Sequence, residues 1–301
     1  MKNNFLKVKL SEKEIKDYLL NILKEFDNFC KKHKLSYFLG GGTLLGAIRH
    51  EGFIPWDDDI DVMMNRTDYE KLLKLYPIKE SKNSPYEIQD HHIKEGYFIP
   101  FARLVDTRVI VDYPDQSIYL KGKYQHLYNL YIDIFPIDGV PLSPLKQRVL
   151  FKKVKILKLG RLLAARRFFY IYPGKNSFSK TLKSIFHLPY KLITKIVGYK
   201  FFLNKIESLS KKYPYEFSQF VAPITGIYGM KEIVPKEVFS EKIMVKFVDS
   251  LFPAPIGYDL YLRKHYGNYM QLPPPEKQVN HFGGGIYKIK EQMIEEEIYE
   301  N

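Results

Sequence analysis

Three consecutive glycines, Gly40-Gly41-Gly42, stand between a short apolar run, Ser36-Tyr37-Phe38-Leu39, and a helix-like stretch, Leu44-Leu45-Gly46-Ala47-Ile48-Arg49-His50. The pattern reads as strand, glycine turn, helix. Glycines in such a turn permit close approach of the backbone to another group. With Thr43 they present N–H groups at a helix start, which suits an anion. The run lacks the Gly-Lys-Ser/Thr ending of a Walker loop and the spacing of a dinucleotide fingerprint.

Downstream, Asp57-Asp58-Asp59-Ile60-Asp61 crowds four carboxylates into five positions. The alternation through Val62 predicts a strand over 57–64, on which Asp59 and Asp61, together with Asp57, share a face. Clustered carboxylates repel unless a cation sits among them, and a hard divalent ion, Mg2+ or Mn2+, meets that need. An EF-hand is excluded, because the sixth and twelfth positions from Asp57 are Val62 and Asp68 instead of glycine and glutamate. The apolar company of Ile60, Val62, Met63 and Met64 is not that of a solvated acidic loop. Tyr131-Ile132-Asp133-Ile134-Phe135 adds one carboxylate within an apolar strand, where an unpaired charge is costly. It reads either as a third metal ligand on a neighbouring strand or as a core aspartate that caps a turn or pairs with an arginine. An anion-binding turn facing a metal-binding acid pair is the equipment of phosphoryl transfer.

The rest of the chain supports a folded α+β protein. It has 301 residues, 45% hydrophobic and 27% charged, which excludes a disordered chain and allows one large domain or two small ones. Cys30 is the lone cysteine, so internal disulfides and cysteine zinc sites are excluded and a reducing, cytoplasmic setting is expected. Lysines at 7 and 9 interrupt any signal-peptide core, and no apolar run reaches the roughly 18 residues a membrane span needs.

The net charge of +13 comes from one place: Lys146 to Lys212 holds 18 lysines and arginines against Glu207, and the remainder is mildly acidic. Apolar residues such as Val149, Leu150, Val154, Leu157 and Phe168 to Tyr170 recur there at helical spacing, and Leu182 to Leu209 repeats the character. Basic amphipathic helices suit an anionic membrane surface or another polyanion; a helical lobe with solvated lysines is the alternative.

A capping box at Ser11-Glu14 opens a helix over 12–33, and Thr67-Asp68-Tyr69-Glu70 reads as a second box opening a helix to Leu75. Strands are expected at 86–89, 97–105, 108–112 and 128–135, and helices over 142–212. The change of composition near Leu142 divides the chain into a core at 1–141, a basic helical segment at 142–214 and a C-terminal part at 215–301 that packs on the core.

The stretches Phe38 to His50 and Gly52-Phe53-Ile54-Pro55-Trp56-Asp57-Asp58-Asp59-Ile60-Asp61-Val62 resemble the LicD family of phosphocholine and related phosphotransferases, whose relatives include the fukutin group. Ile132 to Pro141 resembles the family's second acidic motif. Phe252-Pro253, Tyr258-Asp259, Tyr261-Leu262, Tyr266-Gly267-Asn268-Tyr269-Met270, Pro273-Pro274 and His281 resemble its C-terminal signature, whereas the basic segment matches nothing in it.

The resemblance implies a nucleotidyltransferase-like fold, a small mixed sheet flanked by helices with a basic helical insert. Asp59, Asp61 and Asp133 would hold Mg2+ or Mn2+, with Asp133 also a candidate general base. Gly41, Gly42, Thr43, Arg49 and His50 would bind donor phosphate, and Asp57, Asp58, Arg103, Asp138 and His281 are further candidates. The implied reaction moves phosphocholine, glycerol phosphate or ribitol phosphate from a CDP-activated donor to a hydroxyl of a cell-surface glycan that is lipid-linked, releasing CMP. The work would be done at the inner face of the membrane, with no nucleic acid partner. A nucleotide-sugar glycosyltransferase with an Asp-x-Asp pair, a template-independent RNA nucleotidyltransferase and an inactive membrane adaptor are the competing readings.

Overall fold

The computed structural model describes residues 5–78, 84–111, 129–165, 188–278 and 285–291. Its chain order is β1 (Phe5–Lys9), α1 (Glu12–Lys32), β2 (Phe38–Leu39), α2 (Gly41–His50), β3 (Asp61–Asn65), α3 (Arg66–Leu75), β4 (Tyr86–Gln89), β5 (Ala102–Val111) and β6 (Asn129–Val140). There follow α4 (Pro144–Ala165), α5 (Leu188–Val197), α6 (Tyr199–Ser210), β7 (Phe220–Ala222), β8 (Val234–Pro235), β9 (Lys242–Phe247), β10 (Ser250–Pro255), α7 (Tyr258–Tyr266) and β11 (Ile286–Glu291). The class is α+β, as expected.

The main sheet runs β1-β11-β5-β6-β3-β2, with β4 on β5 and β7 and β8 continuing from the end of β6. Its β3–β6 pair is parallel, and the others are antiparallel. The middle strands are hydrophobic almost throughout, as strands covered on both faces must be. Along β6, Leu130, Ile132, Ile134 and Ile137 are wholly buried. β9 and β10 form a separate hairpin, and its Phe247 and Phe252 pack into the same core. The segment after residue 215 therefore supplies strands to the central sheet as well as the hairpin.

Helix α1 starts where its capping box requires: Glu14 N–H donates to Ser11 Oγ, and Ser11 N–H donates to Glu14 Oε2 at 2.8 Å. It lies against β5 and β6 and buries Leu19, Ile22, Leu23 and Phe26 completely. Each such side chain contributes roughly 1.5–3 kcal/mol by leaving water.

Three expectations shift. The strand expected over 57–64 begins only at Asp61; Asp57 N–H instead donates to Ile54 O at 2.9 Å, closing a turn before it. The second capping box is not used: Asn65 caps α3, accepting Asp68 N–H at 2.9 Å, and Thr67 lies inside the helix with its hydroxyl donating to Glu216. The expected strands 97–105 and 108–112 form one strand, β5, with an irregularity between Asp106 and Ile110, while 97–101 is loop.

The described part of the basic segment is helical over 144–165, 188–197 and 199–210, and Phe168 to Tyr170 lie outside the described residues. Its helices are less cleanly two-faced than the spacing implies. α4 leaves Leu145, Val149 and Ile156 exposed, and α5 exposes Leu192, Ile193, Ile196 and Val197. Some of its cations turn inward. Lys158 Nζ donates to Thr225 O and Gly226 O at 2.7 and 2.6 Å, Lys195 Nζ to Ala164 O at 2.9 Å, and Arg161 to Phe98 O. Among the described residues no helix is long and apolar enough to cross a membrane.

Candidate active site

The parallel β3–β6 register sets Asp61 beside Asp133. The backbone holds this pairing: Asp133 N–H donates to Ile60 O at 2.9 Å, and Asp61 N–H donates to Thr43 Oγ1 at 2.8 Å. Asp57 and Asp59 reach the same place from the turn before β3. All four carboxylates line a cavity of about 710 Å3. Asp59 and Asp61 thus converge as the sequence suggested, but strand alternation is the reason for Asp61 alone.

The glycine turn explains itself at atomic scale. Gly41 has φ +48°, and a β-carbon there would stand 2.4 Å from Asp61 Oδ2; at Gly42 it would stand 2.4 Å from Asp57 Oδ2. The first turn of α2 therefore carries carboxylates directly on its backbone, at the helix end whose dipole favours negative charge. This is closer packing than a bare phosphate cradle, and it was not foreseen. Gly41 N–H itself donates to the buried Tyr261 hydroxyl at 3.3 Å.

So much negative charge in one place perturbs its members. Burial, and then Asp59, Asp133, Asp57 and Glu232, push the Asp61 carboxyl well above its ordinary value. Burial also raises Asp133, against the pull of Arg103, whose Nε donates to Asp133 Oδ1 at 2.7 Å. The Arg103 guanidinium lies 3.5 Å from the Tyr131 ring centroid and is fixed there by it. Hard oxygen donors, clustered and mutually destabilising, are the donor set that fits Mg2+ or Mn2+.

The remaining sequence candidates separate. Arg49 lines the cavity, donating Nη1 to Tyr269 O at 2.6 Å and Nε to His50 Nε2 at 2.9 Å. Burial and Arg49 lower the pKa of His50, which acts as the acceptor in that pair and sits edge-on to Trp56. Thr43 is buried behind Asp61 and does not line the cavity. Asp58 borders a separate, smaller cavity with Asp57. Asp138 is buried in a bidentate pair with Arg66, both bonds 2.7 Å, away from the cavity. His281 lies outside the described residues.

Sequence reasoning missed Glu232 and gave no role to the tyrosines. Tyr228, Tyr261, Tyr266 and Tyr269 line the cavity with Trp56. Glu232 is 3% exposed, and burial pushes its carboxyl up to about 7 despite the Tyr228 N–H that donates to it at 2.9 Å and the nearby Lys158. Lys231-Glu232 reads in sequence as an ordinary surface pair, and only the folded loop turns the glutamate inward.

Residues 34–153 match the model of the LicD/FKTN/FKRP nucleotidyltransferase domain. The chain is 33% identical over 276 residues, 91% of its length and 96% of the relative's, to the lipopolysaccharide cholinephosphotransferase LicD of Haemophilus influenzae. An uncharacterized protein of Rickettsia typhi is 29% identical over 149 residues, 46% of this chain and 44% of its own. Another, of Rickettsia prowazekii, is 34% identical over 79 residues, 23% and 30%. The domain match spans the glycine turn, the Asp57–Asp61 run and Asp133, and the Haemophilus relative aligns over nearly its whole length: the chain belongs to the LicD family and is a phosphotransferase.

Proposed function

We propose that the protein transfers phosphocholine from a CDP-activated donor to a hydroxyl of a cell-surface glycan, releasing CMP, with Mg2+ or Mn2+ held by Asp59, Asp61 and Asp133. The observation that carries this reading is the convergence of those carboxylates on one cavity against the first turn of α2. The name of the Haemophilus relative supports phosphocholine as the group and lipopolysaccharide as the class of acceptor; teichoic acid and capsular glycans present the same hydroxyl chemistry. Such an ion, when bound, offsets the charge of the donor diphosphate.

The protein's own groups supply the rest. Arg49 is the cation at the cavity wall suited to orient a phosphate. The acceptor oxygen attacks the phosphorus bearing the head group, and the phosphoanhydride bond to CMP breaks, CMP keeping the electron pair. Asp133, with Oδ1 bound by Arg103, is less suited to take the hydroxyl proton than Glu232, which lines the same cavity and holds a proton readily near neutrality. Trp56, Tyr228 and Tyr266 line the cavity, and aromatic rings are the side chains that attract a quaternary ammonium.

Purified protein offered CDP-choline, CDP-glycerol and CDP-ribitol with a glycan acceptor, with and without divalent ion, is expected to release CMP from CDP-choline only with the ion. UDP release from a nucleotide sugar, or extension of RNA by CTP, would replace this reading with a rival, and metal-independent turnover would remove the ion.

We further propose that residues 146–212 hold the enzyme peripherally on the anionic inner face of the membrane that carries a lipid-linked acceptor. Support comes from the exposed Leu192, Ile193, Ile196 and Val197 of α5 together with the exposed Lys152, Lys153 and Lys155 of α4 and Lys200 and Lys205 of α6; the lysines of α5 itself, Lys191 and Lys195, turn inward. Co-sedimentation with anionic but not neutral liposomes, weakened by salt, is expected; no pelleting would count against it.

A further inference from the structure

Away from the aspartate cavity, the loop after β4 and the helix α6 bring two imidazoles and two carboxylates together. His91 is 8% exposed at its side chain, with Asp90 Oδ2 3.3 Å from Nδ1 and Glu207 Oε2 3.5 Å from Nε2. Neither ring nitrogen of His91 makes an aligned hydrogen bond. His92 Nε2 points at the same Glu207 Oε2 at 2.9 Å, and the two rings are tilted with centroids 3.8 Å apart. Donor atoms of Asp90, His91 and His92 all lie within 4.8 Å of one another.

Without an ion, a proton on His91 balances the arrangement: against burial, the flanking Asp90 and Glu207 carboxylates raise its pKa to about 9, and the half-exposed His92 has water within reach. A divalent ion placed between the two rings and Glu207 Oε2 would take the place of that proton. Zinc bound to imidazole and carboxylate at about 2.0–2.2 Å keeps its ligands roughly 3–3.5 Å apart, and the separations of His92 Nε2 and His91 Nε2 from Glu207 Oε2, 2.9 and 3.5 Å, are close to that size.

The outer partners are in place as well. Asp90 stands behind His91 at Nδ1, the orientation by which carboxylates fix the tautomer of a metal-binding imidazole, and its Oδ1 accepts His92 N–H at 2.9 Å. Lys211 Nζ holds Glu207 Oε1 at 2.7 Å, leaving Oε2 to face the rings. Ser210 and Thr225, with buried hydroxyls that have no hydrogen-bond partner among the described residues, border a small cavity shared with His91 and Glu207.

We propose that His91, His92 and Glu207 form a structural site for a borderline divalent cation, Zn2+ first, with Asp90 orienting His91. Two nitrogens and one oxygen separate it from the all-oxygen aspartate centre. Its effect is mechanical: the ion ties α6 of the basic segment to the loop that leads into β5. His92, about half exposed, leaves the remaining coordination position open to water.

The test uses the full chain without a histidine tag, stripped by chelator and titrated with ZnCl2 by calorimetry. About one equivalent with a dissociation constant of micromolar or tighter is expected, with a rise in melting temperature on adding zinc. His92→Ala should weaken binding at least tenfold and abolish the thermal shift, whereas Asp61→Asn should leave both intact. Cobalt substitution should give a visible absorption band that is lost in His92→Ala. Zinc binding unaltered in His92→Ala and Glu207→Gln, or no binding below about 100 µM, would overturn the proposal. His92 is chosen because His91→Ala, in the buried position, can fail to fold.

Discussion

Arg103 stands opposite Asp133 across the antiparallel β5–β6 pair and donates Nε to Oδ1 at 2.7 Å, so one carboxylate of the aspartate cluster carries its own fixed counter-charge. Replacing Arg103 by Leu leaves the Asp133 carboxylate buried without that partner. We expect kcat/KM for CMP release to fall at least tenfold and the divalent-ion requirement to rise. Denaturant melts should show a loss of about 1–3 kcal/mol, the scale of an unsatisfied buried charge-assisted bond.

Asp61→Asn should separate activity from stability. The carboxylate cluster is a site of repulsion, and burial with the neighbouring carboxylates raises Asp61 well above its ordinary value. Turnover with CDP-choline is expected to fall by three orders of magnitude or more, while the metal-free melting temperature stays level or rises. Residual turnover near wild type would remove Asp61 from the metal centre.

Gly41→Ala tests the close packing of α2 on the carboxylates. Its β-carbon would meet Asp61 Oδ2, and φ of +48° adds about 1 kcal/mol of strain for an L residue. The variant should lose about 1–3 kcal/mol of stability, read from urea midpoints, and most of its activity, because Asp61 must move.

Asp138→Asn should do the opposite of Asp61→Asn. Asp138 lies inside the second acidic motif, yet it pairs bidentately with Arg66 in the core. Breaking a buried ion pair from one side costs about 3–5 kcal/mol. Stability is expected to drop by that amount, while kcat per folded molecule at low temperature changes less than threefold.

Glu232 imposes a pH dependence on stability. Burial raises its carboxyl from the usual range near 4.5 to about 7 in the folded state, so the folded chain binds its proton more tightly than the unfolded chain does. The contribution is fully present below about pH 4.5 and is lost as pH rises through about 7. At about 1.4 kcal/mol per pKa unit the loss is at most about 3.5 kcal/mol. Glu232→Gln should therefore flatten the fall in melting temperature between pH 5 and 8, and it should lower kcat and remove the acidic limb of the pH–rate profile.

The sequence revealed the site where local pattern and tertiary geometry coincide. Gly41, Gly42, Asp59, Asp61 and Asp133 lie on short motifs of unusual composition, and the fold keeps them together. Asp57 illustrates the limit: alternation assigned it to a strand face, whereas a turn closed onto Ile54 O brings it over Gly42. Thr67 shows another, because two capping candidates two residues apart compete and the one ending β3, Asn65, wins. Glu232 and Tyr228 were illegible. Their sequence neighbourhood is ordinary, and their roles arise from a loop that Lys158, from a different helix, fastens by its backbone carbonyls. Asp138 looked like a site residue because it shares a motif with Asp133; five residues on along the strand, it faces Arg66 instead.

The first of the described strands pairs with the last of them. β1 hydrogen-bonds to β11 alone among the described strands, and β11 in turn joins β5. On the ribosome, residues 5–9 therefore wait for this pairing until 286–291 have been made, the longest loop closure among the described strand pairs. Maturation of this sheet edge waits on synthesis past residue 291, and a nascent chain that stalls before residue 286 carries an open strand able to pair with a neighbouring chain.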